Sequence, residues 1–129
     1  MNPEQRRLLE MARRAHEAAA RSISANDAAT AANRAYYAML YAAQAALVGE
    51  QVEVRSHGAV HAAFGIRFAK TARLDPRLHR WLLDAFDLRL LADYDPMWTL
   101  EAESIRETVE QAGHMIDAIE RFLEPQNGS

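Results

Sequence analysis

Arg89 has the most unusual setting in this 129-residue chain, inside the run Leu88-Arg89-Leu90-Leu91-Ala92. At 3.6 residues per turn it falls between Leu78, Leu82 and Ala85, in the middle of an apolar helix face. A buried arginine is almost never left unpaired, because a stranded charge is costly. Either it meets a carboxylate inside the fold, or this face opens to a cleft or a second subunit. Asp93 lies one turn further on and is placed to orient the guanidinium through a charge-assisted hydrogen bond. Tyr94 follows, where Asp95-Pro96 turns the chain and leaves the phenol free to face a cleft. Guanidinium groups suit bidentate contacts to phosphate, so Arg89, Asp93 and Tyr94 are the leading candidates for chemistry.

Two further groups stand out. His57 and His61 are four residues apart and share a line with Phe64 and Phe68. Two histidines at that spacing can hold a metal, but His57-Gly58-Ala59-Val60-His61 lacks the glutamate of a zinc-hydrolase helix and no third ligand has an obvious position. The expectation is no metal and no cofactor. Arg34, Tyr37, Tyr41, Gln44 and Val48 form a second stripe on a helix whose core face is already supplied by Ala32, Tyr36, Met39, Leu40, Ala43 and Leu47. Tyrosine beside arginine is favoured in protein interfaces and also stacks on bases, so Arg34, Tyr37 and Tyr41 are candidate interface or nucleotide contacts. The chain has no cysteine, which removes thiolate metal sites and cysteine nucleophiles. It also has no glycine-rich phosphate loop, no serine-nucleophile motif and no paired catalytic carboxylates.

The elements that must carry these residues are all helices. Pro3 to about Ile23 repeats Leu8, Ala12, Ala15, Ala19 and Ile23 at helical spacing. Asn26 or Asp27 caps a second helix ending near Val48 and Gly49. Ser56 caps a third, from His57 to about Thr71. Asp75-Pro76 opens a fourth that reaches about Ala92. Thr99 caps a fifth, in which Ile105, Val109, Ala112, Ile116, Ile119 and Leu123 make a four-three seam. The fold class expected is therefore all-α: an antiparallel four-helix up-and-down bundle with one additional short helix. Residues 1–124 form a single domain and 125–129 a frayed tail.

Length and charge agree with this reading. A chain of this size buries a core without staples. The net charge of −3 is unevenly spread: residues 55–89 carry seven basic side chains against three acidic, and residues 93–124 two against nine. That polarity fits either a nucleic acid or a complementary protein, or two solvated faces that simply differ. Fourteen arginines to one lysine, with twenty-six alanines, look mostly like a GC-rich genome. No apolar run approaches the ~18 residues of a membrane span, and the N-terminus enters an amphipathic helix without a signal-peptide core. The expected location is the cytoplasm.

Three segments carry a resemblance to a known family. Asn33-Arg34-Ala35-Tyr36-Tyr37-Ala38-Met39-Leu40-Tyr41-Ala42-Ala43, Ser56-His57-Gly58-Ala59-Val60 and Leu88-Arg89-Leu90-Leu91-Ala92-Asp93-Tyr94 resemble, in order and spacing, the small prokaryotic HEPN-domain proteins. The resemblance covers nearly the whole chain. It implies a HEPN-like helical bundle that forms a homodimer, and many such proteins are metal-independent ribonucleases of toxin–antitoxin or antiviral systems. Their common partner is a small nucleotidyltransferase of the MNT type. The family's ribonuclease motif is an arginine, four to six residues, then a histidine. Here Arg89 is followed after four residues by Tyr94, an Arg…Tyr version, and a phenol with an ordinary pKa near ~10 is a poor general base at neutral pH. Arg55 and His61 have the motif's spacing on another helix, and His57 or His61 could supply the missing imidazole across a dimer. Some family partners add nucleotides to a tyrosine beside the motif, which makes Tyr94 a candidate acceptor. The resemblance thus implies either an endoribonuclease acting on RNA or a non-catalytic module that binds a nucleotidyltransferase or a nucleotide.

Overall fold

The computed structural model describes residues 1–94 and 102–124. Five helices follow in order: α1 Pro3–Ser24, α2 Ala28–Val48, α3 His57–Phe64, α4 Arg77–Tyr94 and α5 Ala102–Leu123. Between α3 and α4 the helix continues through one π-helical turn, Gly65–Ala69. Among the described residues there is no strand.

The ends of the helices are set by side chains that satisfy otherwise unpaired backbone N–H groups. Asn2 and Gln5 make a reciprocal capping box, with Asn2 Oδ1 accepting from the Gln5 N–H at 2.8 Å and Gln5 Oε1 from the Asn2 N–H at 2.9 Å. Of the two cap candidates before α2, Asp27 does the work, accepting from the Thr30 N–H at 3.2 Å. Asn26 takes the left-handed turn conformation instead, with φ 58°. Ser56 Oγ accepts from the Ala59 N–H at 3.1 Å, and Asp75 Oδ1 from the Arg77 N–H at 3.0 Å. The cap expected at Thr99 and the tail 125–129 lie outside the described residues.

α2 is the central element and packs against all four other helices. Its run of alanines permits this, since small side chains let neighbours approach closely on several sides. The Gln5 amide donates to the Ala45 carbonyl at 3.2 Å, tying the start of α1 to the end of α2 and fixing the pair antiparallel. His16 Nε2 lies 3.0 Å from the Val109 carbonyl and Arg13 pairs with Asp117 and Glu120, so α1 and α5 are antiparallel too. His16 thus ties two helices together, a role its sequence position did not announce. The seam of α5 is buried from Ile105 to Ile119, together with Met115.

The third helix departs from the sequence expectation. It was expected to run regularly to Thr71, but it widens into the π turn at Gly65 and ends at Ala69, with Ala72 in the left-handed region at φ 56°. At Gly65, where the π turn begins, the imidazole of His79 from α4 lies so close that a Cβ would come within 2.7 Å of it, so the position needs glycine. Single π turns are commonly found where a helix is re-aimed at a functional site.

Candidate functional site: an arginine on two tyrosines

Arg89 reaches from α4 toward the face of α2 and is mostly buried, its side chain 17% exposed. The guanidinium carbon lies 5.5 Å from the ring centres of both Tyr36 and Tyr37. Such cation–π contacts are strongest where water is kept out. Asp93 Oδ2 lies 3.5 Å from Arg89 Nε, an ion pair rather than the hydrogen bond expected from the sequence. Among the described residues Arg89 Nε is therefore buried without a hydrogen-bond partner. Sequence reasoning left open whether Arg89 pairs with a carboxylate or faces a cleft; the geometry has elements of both.

Beneath the guanidinium the polar contacts continue. Tyr36 is fully buried, and its hydroxyl lies 2.8 Å from His61 Nε2. Burial pushes the phenol up to about 12, with Arg89 pulling the other way and Tyr37 adding to the rise. His61 is held below its usual value by burial, then by the charges of His57 and His79, against an opposing pull from Asp87. Both groups keep their neutral forms, and in the tautomer that carries its hydrogen on Nδ1 the Tyr36 O–H donates to His61 Nε2. Phe86 closes the cluster, 5.5 Å from Tyr36 and 5.0 Å from His61.

These shifts make stability pH-dependent in two opposite directions. Below pH 6.5 the unfolded chain protonates His61 while the fold resists, so stability falls with acidification until the depressed native pKa is reached. Above pH 10 the unfolded chain ionises Tyr36 while the fold holds the proton to about 12, so stability falls with alkalinity as well. Thermal unfolding measured from pH 5 to 11 is expected to give a plateau between those limits. In Tyr36→Phe the alkaline decline should shrink.

His57 stands at the start of α3, exposed, with its ring 5.6 Å from Tyr37 and 6.0 Å from Tyr36. It therefore adjoins the same pair of tyrosines that carries Arg89. Arg34 lies over the other part of Tyr37, its guanidinium carbon 5.0 Å from the ring, and Tyr41 follows at 5.9 Å from Tyr37. Arg34, Tyr37 and Tyr41 are all half-buried, as a stripe outside the core face requires. Arg89, Asp93, His57, Arg34, Tyr37 and Tyr41 thus gather on one side of the bundle.

Tyr94 does not join them. Five residues from Arg89, it is turned well around the helix and 74% exposed, beside Leu90, the exposed Leu91 and Asp87. Arg55 also stays apart, highly exposed and paired with Glu53, so its spacing to His61 does not make a motif in space. The Tyr36–His61 pair was missed by the sequence reading, which assigned Tyr36 only to the core. The available signal was His61 itself, a polar side chain on a line with Phe64 and Phe68 that needed a buried partner. Among the described residues no three histidine, aspartate or glutamate side chains converge on a metal position. No helix there is long and apolar enough to cross a membrane.

The chain is thus a small all-α protein whose helical bundle sets a shielded arginine on a tyrosine pair, with an imidazole at the neighbouring helix start. The particular family follows from the match of a HEPN-domain family model to residues 5–127: the chain belongs to the HEPN-domain family. A UPF0332 protein of Thermotoga maritima is 32% identical over 95 residues, covering 74% of this chain and 72% of that protein. A UPF0332 protein of Gloeobacter violaceus is 38% identical over 96 residues, covering 73% and 75%. A Methanocaldococcus jannaschii protein bearing the name "Putative toxin" is 26% identical over 121 residues, covering 94% and 82%.

Proposed function

We propose that this HEPN protein is the RNA-cleaving component of a toxin–antitoxin or defence module, acting as a metal-independent endoribonuclease. The observation that carries the reading is Arg89, a guanidinium held on two tyrosine rings with Nε free of any hydrogen-bond partner. A scissile phosphate docked on its outer edge would gain a charge-assisted contact in a site partly shielded from water. His57, exposed beside Tyr37, is the base for the ribose 2′-hydroxyl. The 2′-oxygen, its proton passed to His57, attacks phosphorus, the bond to the 5′-oxygen breaks, and a 2′,3′-cyclic phosphate forms while the departing 5′-oxygen takes a proton from water and leaves as a hydroxyl. The toxin name of an archaeal relative supports the setting.

The protein works as a homodimer through α2 and the end of α4. The support is the half-buried stripe of Arg34, Tyr37 and Tyr41, with exposed Leu91 and Tyr94 at the end of α4. Sedimentation at micromolar concentration is expected to give twice the monomer mass of 14.5 kDa; a monomer would remove the dimer. Purified protein is expected to cut a fluorescent single-stranded RNA equally well with and without EDTA. Cleavage abolished by EDTA and restored by zinc would overturn the metal-free mechanism.

A second reading is favoured by Tyr94. Its phenol is exposed on the side away from Arg89, where a partner enzyme could reach it without entering the cleft. In that reading the chain is a non-catalytic module that binds an MNT-type nucleotidyltransferase, with Tyr94 as the acceptor of added nucleotides. Expression with and without the neighbouring gene, reading growth, RNA integrity and the mass of the purified chain, separates the two.

A further inference from the structure

The position of Arg89 depends on rings rather than on hydrogen bonds. Among the described residues its Nε has no hydrogen-bond partner and its carboxylate is 3.5 Å away, so the two tyrosine rings, 5.5 Å from the guanidinium, are its nearest firm support. Tyr37 is half-buried at the surface, whereas Tyr36 is fully buried and has its hydroxyl tethered to His61. The tether is itself anchored. The π turn that begins at Gly65 makes room for His79, whose Nε2 lies 3.1 Å from the His61 carbonyl and holds α3 against α4.

We propose that Tyr36 and His61 are a buried positioning dyad that holds Arg89 in its working place. Neither residue need touch a substrate. The proposal rests on the reading of Arg89 as the phosphate-binding group, but its structural part can be tested without RNA.

The dyad works in one protonation state. A neutral His61 accepts the Tyr36 hydroxyl proton. A protonated imidazole carries hydrogens on both nitrogens, so Nε2–H donates to the Tyr36 oxygen instead, and the hydroxyl hydrogen must swing away from His61 on the buried ring that carries Arg89. The groups that bear on His61 are Tyr36 from α2, His57 from α3, and His79 and Asp87 from α4; Arg89 lies across the Tyr36 ring. Activity that depends on Arg89 should therefore decline as His61 gains a proton.

The experiment reads the Arg89 Nε–H signal by nitrogen-15 NMR together with cleavage of a fluorescent mixed-sequence RNA across pH. Wild-type Nε–H is expected to exchange slowly with water. Tyr36→Phe should speed that exchange about tenfold and lower kcat about tenfold, the scale of one lost hydrogen bond. His61→Gln keeps an acceptor for the hydroxyl and should retain slow exchange, whereas His61→Leu should not. This pair also serves if Tyr36→Phe fails to fold. If no form cuts RNA yet Nε–H exchange follows the dyad variants, the nuclease reading fails and the positioning role stands. If Arg89→Ala abolishes cutting while Tyr36→Phe and His61→Leu leave both cutting and exchange unchanged, the dyad is overturned.

Discussion

Arg89→Ala is expected to reduce RNA cleavage by about a hundredfold or more, the usual scale for losing a group that stabilises transition-state charge. The circular dichroism of the bundle should be unchanged. Little stability should go with the activity, because Arg89 is tied by no hydrogen bond at Nε and its partner Asp93 is exposed enough to be solvated alone. Arg89→Lys should fall nearly as far. An ammonium carries the same charge, but it lacks the flat surface that rests on Tyr36 and Tyr37 and the fork that grips phosphate. The measurements are initial cleavage rates on a labelled RNA and melting curves of each variant. A drop of several degrees in Tm with cleavage per folded molecule intact would make Arg89 a structural ion pair and end its catalytic role.

How far the sequence foretold this arrangement depends on the range of the interaction concerned. The helix starts and the two outer long helices were legible because their signals are local: caps at Asp27, Ser56 and Asp75 for α2, α3 and α4, and apolar periods in α1 and α5. Arg89 was legible because it breaks such a period. The stripe of Arg34, Tyr37 and Tyr41 was legible as a surplus over what one core face needs, and it is half-buried. The contacts that give Arg89 its setting were not legible. They join residues far apart in the chain: Tyr36 to His61, Tyr37 to His57, and His79 to the His61 carbonyl. No periodicity encodes which polar side chains of two apolar faces will meet. The π turn was not legible either: it starts at Gly65, where the close approach of His79 from α4 is a contact between residues distant in the chain. Tyr94 shows the reverse limit. Adjacency to Asp93 suggested a shared cleft, but one residue along a helix is a rotation of about 100°, and the phenol ends on the outer side.

That rotation decides what the second large effect should be. Within one protomer the Tyr94 phenol stands on another face of α4 from the Arg89 guanidinium, beside Asp87, Leu90 and Leu91. The imidazole nearest to the arginine's tyrosines and open to solvent is His57. His61 is closer to Tyr36, but it is buried and its Nε2 is occupied by the phenol. His57→Ala is therefore expected to lower the cleavage rate by about a hundredfold, within the range of a lost general base. Because His57 is exposed, its removal should leave Tm within a degree or two of wild type. Tyr94→Phe, by contrast, should cut RNA at the wild-type rate. It should fail only where a nucleotidyltransferase partner is present, by no longer gaining the mass of added nucleotides. Both variants are read in the same cleavage assay, with intact-mass measurement after co-expression. The opposite pattern, cleavage lost in Tyr94→Phe and kept in His57→Ala, would place the phenol of one protomer against the arginine of another and replace the imidazole mechanism.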